Sequence, residues 1–135
     1  MRIALAAVLA LAMFAAAPAK AGDAEDIQAV IADQLAAFQR EDLDAAFAHA
    51  SPMIQGKFGN PFTFGAMVAR GYPMIWRPER VEMGAMTTGP RGPQQTVLFE
   101  DAEGVLWEVD YMMQDVDGVW RINGVQLRRL PGVSS

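Results

Sequence analysis

The apolar residues of this chain change their spacing once, across Gly71–Pro78 (GYPMIWRP), and that change limits what the chain can become. Before it they recur every three or four positions; after it they alternate. A chain ordered this way builds helices first and a sheet second. The apolar face of each layer is buried only by stacking one on the other, which is the α+β arrangement.

The first helix is read over about Asp23–Gln39, where Ile27, Val30, Ile31, Leu35 and Phe38 form one stripe and Asp23, Glu25 and Asp26 crowd the first turn, the end of the helix dipole that favours negative charge. A second begins at Asp42 as N-cap and ends near Ser51, because Pro52 disfavours helical backbone just before it. A third has Asn60 as N-cap, Pro61 at its first position and Gly71 as the residue after its end. Four strands follow, at about Arg80–Thr87, Gln94–Glu100, Val105–Gln114 and Val119–Arg128, separated by TGPRGP, DAEG and DVDG. Short connectors of turn composition between alternating segments make an antiparallel meander.

DVDG, residues 115–118, has two readings: the start of a calcium loop or a tight turn. An EF-hand loop needs oxygen ligands at positions 1, 3 and 5, Gly at 6 and an acid at 12. Counted from Asp115, those later positions hold Val119, Trp120 and Gln126, so the calcium reading fails. As a two-residue turn at Asp117-Gly118, the stretch pairs Val116 with Val119, Met113 with Ile122, Tyr111 with Gly124 and Val109 with Gln126. One face then collects Trp107, Val109, Tyr111, Met113, Trp120 and Ile122. The other collects Glu108, Asp110, Met112, Arg121, Asn123, Val125 and Leu127. The preceding connector, DAEG, closes either as an even loop or around a bulge at Gly104, and the two options send Val97 and Phe99 to opposite faces.

At the amino terminus, Met1-Arg2 leads into an unbroken apolar run from Ile3 to Ala17, then Pro18 and Ala19-Lys20-Ala21. This is the composition of a secretory signal peptide cleaved after Ala21. The run is shorter than the roughly 20 residues that span a bilayer. The expected organisation is a leader over 1–21 and one domain over 22–135, secreted, or periplasmic in a bacterium, with no membrane span after cleavage. Loss of Arg2 and Lys20 leaves nine of 11 basic residues against 16 acidic ones, a formal charge of −7. Such a domain is repelled by phosphate backbones and anionic lipid, so nucleic acid is not an expected partner. The chain has no cysteine and one histidine. That excludes disulfides, thiol catalysis and zinc sites needing thiolates, and neither a metal nor a cofactor is expected.

Three helices, a meander and a last strand reading DGVWRINGV resemble the NTF2-like superfamily, which includes SnoaL-like and ketosteroid-isomerase-like proteins. ASPMIQGKFGNPFTFGAMVARGYPMIWRP (Ala50–Pro78) with WRINGVQLRRLPGV (Trp120–Val133) looks like a family of exported bacterial proteins catalogued as domain of unknown function 4864. The resemblance implies a cone in which three helices close the concave face of a curved four-stranded sheet around a pocket. It also implies a homodimer through the outer face of the sheet.

Against that frame the candidate residues are few. Asp110, with Arg121 and Asn123 beside it, is the carboxylate expected to move a proton if the domain is an enzyme of the isomerase or dehydratase kind; the alternative is an exposed polar ladder. His49 is either a base near a pocket mouth or a helix-end residue facing the dipole. Tyr72, Trp76 and Arg77 either line a cleft, with Arg77 clamping a carboxylate, or form a stiff crossover that plugs the core. Seven methionines from Met53 onward suit a core or an adaptable apolar wall. The expected function is an exported, non-catalytic protein that binds a small apolar or amphipathic molecule or a peptide. The alternative is a cofactor-free enzyme using Asp110 as base and Arg121 or Tyr72 as orienting donor.

Overall fold

A computed structural model describes residues 22–132. The segment read as a leader, Met1–Ala21, and with it the cleavage after Ala21, lies outside them. Helices α1 (Asp23–Gln39), α2 (Leu43–Ala48), α3 (Pro52–Phe58), α4 (Pro61–Gly71) and α5 (Pro73–Trp76) precede strands β1 (Arg80–Gly89), β2 (Gly92–Glu100), β3 (Leu106–Val116) and β4 (Val119–Arg129). The four strands form one open antiparallel sheet in the order β1-β2-β3-β4.

The helix count differs from the expected three, and the reason is local. Pro52 does stop α2, but it also starts α3: Pro is well suited to a first helical position, and the Ser51 hydroxyl accepts the Ile54 amide at 3.3 Å as N-cap. Asp42 and Asn60 cap α2 and α4 in the same way, accepting from Ala45 at 3.1 Å and Thr63 at 2.8 Å. Gly71 closes α4 from inside it, and Tyr72 then leads directly into the single turn of α5.

The stripe of α1 meets the sheet. Ile27, Ile31 and Phe38 are fully buried, as are Val97, Phe99 and Val109 from β2 and β3. Phe64 of α4 sits among Phe38, Phe47 and Phe58, ring centres 5.5–6.0 Å away, a spacing at which tilted and edge-on aromatic pairs attract.

The sheet settles the register that DAEG left open. Phe99 pairs with Trp107 and Val97 with Val109, so Val97 and Phe99 both face the helices. Asp101 holds that connection: its carboxylate accepts from the amides of Glu103 and Val105, both at 2.9 Å, and from the Trp107 indole at 3.0 Å. At the last hairpin, Asp117 and Gly118 take φ of 53° and 86°, the positive values of a two-residue turn, and Val116 pairs with Val119 and Met113 with Ile122 as predicted.

Beyond Ile122 the predicted register is corrected. Gly124 pairs with Met112, Val125 with Tyr111, Gln126 with Asp110 and Leu127 with Val109. One extra residue, Asn123, is absorbed in a bulge of β4. A one-residue shift moves every later side chain to the other face, so Val125 and Leu127 turn inward and pack on the core, whereas Gln126 and Arg128 turn outward.

Candidate functional site

Between α1, α3, α4 and α5 on one side and the middle of β3 and β4 on the other lies a recess of about 290 Å³. Phe38, Ile54, Phe58, Phe64, Met67, Val68, Ile75, Ile122 and Val125 make most of its wall. The polar members are Gln34, Lys57, Tyr72, Tyr111 and Asn123, and no carboxylate or histidine is among the lining residues. Met53 and Lys57, both exposed, mark the open side.

Each polar group is placed by the fold around it. Gln34 is buried in α1 and donates its side-chain amide to the Ala46 carbonyl at 3.1 Å, which ties α1 to α2. Tyr111 is 1 % exposed, and its phenolic oxygen is the one buried side-chain N or O atom among the described residues without a hydrogen-bond partner. Burial alone pushes its ionisation well above the ordinary tyrosine value, so the hydroxyl stays protonated and is available as a donor.

Asn123 reaches the wall because of the bulge. Its carboxamide oxygen accepts from the Ser51 hydroxyl at 2.7 Å. On either side of that bond the main chain locks the helical layer to the sheet edge: Ser51 N donates to Ile122 O and Ile122 N donates to His49 O, both at 2.8 Å. Ser51 therefore caps α3 and fixes the rim of the recess at once.

A protein-family model described as domain of unknown function DUF4864 matches residues 20–135. The chain belongs to the DUF4864 family. No curated protein matches it. Among solved structures, an NTF2-like protein of unknown function from Shewanella baltica superposes with a TM-score of 0.57 at 13 % identity, over 86 % of this chain and 100 % of that one. At that identity the likeness carries the fold alone, and the α+β, NTF2-like architecture is the one described above.

The DUF4864 chain brings two of the residues singled out from the sequence, Tyr72 and Asn123, into the recess wall. Asp110 lies on the other side of the sheet, opposite Gln126 and not Val125 as the uninterrupted register had it. There Arg128 grips it, at 2.6 Å from Nη1 to Oδ2 and 3.0 Å from Nη2 to Oδ1, and the Thr96 hydroxyl donates to it at 2.8 Å. The Arg128 bonds hold its carboxyl below the ordinary value; burial pushes the other way and Thr96 helps to lower it. An anion so held is a poor base.

Arg121, expected alongside Tyr72 as a candidate orienting donor, instead bonds the Ala50 carbonyl at 3.3 Å. His49 pairs with Asp33 at 2.7 Å outside the recess. Arg77 stacks on Trp76, donates to the carbonyls of Phe38 and Trp76 and pairs with Glu41 at 3.0 Å, while Trp76 packs on Phe38. Both belong to the crossover that closes the core. Gln34, Lys57 and Tyr111 were not singled out beforehand. Only Lys57 had a local signal: with Met53, Ile54 and Phe58 it shares one side of a helix that the sequence reading had not placed.

Proposed function

We propose that this domain is an exported binding protein that holds a small, mainly apolar molecule in the recess without transforming it. The lining carries the reading: apolar side chains from four helices and two strands border open space, with Tyr72 and Asn123 among the few polar groups. The Tyr111 hydroxyl lies buried behind that wall without a partner, which costs about 1–3 kcal/mol. Aromatic and aliphatic walls carrying a few polar groups are usual for small-molecule sites, and the volume stands near their lower limit of roughly 300 Å³.

The same wall favours binding over catalysis. General acid–base work needs a group that titrates near the working pH, and the recess has neither carboxylate nor histidine. Export rests on the leader composition of Met1–Ala21. Association of two copies through the outer sheet face, implied by the superfamily resemblance, belongs to the same proposal and would enclose the Asp110–Arg128 pair.

The test uses a neutral solvatochromic dye such as Nile red with the purified protein. Its emission is expected to rise and shift to the blue in proportion to occupied recess, and native mass spectrometry is expected to find a one-to-one complex. Ile54→Trp, which fills the half-buried wall, removes the response while the far-ultraviolet circular dichroism is retained. Equal dye response in the wild type and the filled variant would overturn the proposal.

A further inference from the structure

The recess has a polarity as well as a shape. Of the chain's 16 acidic residues none lines it, and among the described residues its one charged lining member is a cation, Lys57. Lys57 makes none of the ion pairs among the described residues; its ammonium stands 5.7 Å from the centre of the Phe58 ring, itself part of the wall. It is exposed at the open side, whereas the aliphatic and aromatic lining lies deeper, Phe64, Val68 and Ile75 being 4–6 % exposed. Asn123 adds a donor: its carboxamide oxygen is engaged by Ser51, which leaves the NH₂ group of the same side chain uncommitted on the wall. Charge is therefore positive at the mouth and absent from the interior.

Resting on the binding function proposed above, we infer that the recess selects amphipathic monoanions, with a carboxylate at the mouth against Lys57 and an apolar body inward. A carboxylate there keeps most of its hydration while gaining the ammonium, so no buried charge has to be compensated. An exposed pair of this kind contributes up to about 1 kcal/mol, or roughly fivefold in affinity.

The experiment compares three ligands of one chain length, octanoate, 1-octanol and octylammonium, by calorimetric titration or by displacement of the neutral dye. Octanoate is expected to bind about fivefold more tightly than octylammonium at low salt, the margin shrinking as salt rises. Lys57→Gln should erase that preference, bringing octanoate and octylammonium to equal affinity, and Lys57→Arg should retain it. Octylammonium binding as well as octanoate, or a preference that survives Lys57→Gln undiminished, overturns the inference while leaving the binding function standing. If none of the three binds or displaces the dye while the dye itself still reports the recess, this inference falls and the binding function stands; if the dye fails as well, both fall.

Discussion

Arg128 reaches diagonally across the sheet to Asp110, placing both terminal nitrogens on its carboxylate although its direct cross-strand neighbour is Glu108. Glu108 takes a second grip on the same guanidinium, at 3.1 Å from Nε and 2.8 Å from Nη2. The two ends are unequal: the Asp110 side chain is 6 % exposed and that of Arg128 is 47 %. Removing the arginine leaves a carboxylate nearly out of water, whereas removing the carboxylate frees an arginine that can rehydrate. Arg128→Gln should therefore lower the unfolding free energy by about 2 kcal/mol and Asp110→Asn by about 1 kcal/mol, read from urea denaturation at neutral pH.

Acid should act through the same residue. Asp110 has a folded-state pKa below its unfolded value, so in that interval the unfolded chain binds the extra proton. Its contribution to stability is complete above the unfolded carboxylate range, near pH 4, and is lost as pH falls through the lower folded value. Denaturation midpoints measured from pH 6 downward should decline below about pH 4 in the wild type, and less steeply in Asp110→Asn. Parallel curves for the two proteins would remove Asp110 from the account.

Tyr111→Phe separates stability from binding. The substitution deletes a buried hydroxyl that has no partner and keeps the ring that packs on Phe99, 6.5 Å away. Thermal unfolding should be unchanged or raised by up to about 1 kcal/mol equivalent. Nile red should bind the variant as it binds the wild type, because the hydroxyl presents no surface to the recess. A large loss of stability would mean that the hydroxyl has a partner in solution that belongs to the fold.

Ser51→Ala removes two bonds at once, the cap of α3 and the tie to Asn123. Ser51 is fully buried, so water is poorly placed to replace either. A loss of about 1–2 kcal/mol is expected, with hydrogen exchange accelerated first at the Ile54 amide and in the first turn of α3. Exchange unchanged at Ile54 would show that Pro52 alone holds the start of that helix.

Much of the architecture follows from short-range rules, because those rules need only neighbouring residues. Asn60-Pro61 starts a helix through a side chain reaching three residues ahead, Asp117-Gly118 turns the chain because both accept positive φ, and alternation from Arg80 onward makes a sheet whatever it packs against. The spacing of Ile27, Ile31 and Phe38 likewise decides which face of α1 is buried. The site was less legible, and Asn123 shows why. Nothing beside it in the chain announces a bulge; its partner Ser51 lies 72 positions away, and the main-chain bonds from Ile122 to His49 and Ser51 exist only once the helices lie along the sheet edge. That one extra residue carries Asn123 into the wall, turns Val125 and Leu127 inward and sends Arg128 outward to Asp110. The sequence by itself determined the order of helices and strands and the tight turn between the last two strands, for hydrogen bonds and dihedral preferences act over a few residues. Which side chains face the recess was decided only by the tertiary structure, since a strand's facing depends on a register that distant partners set.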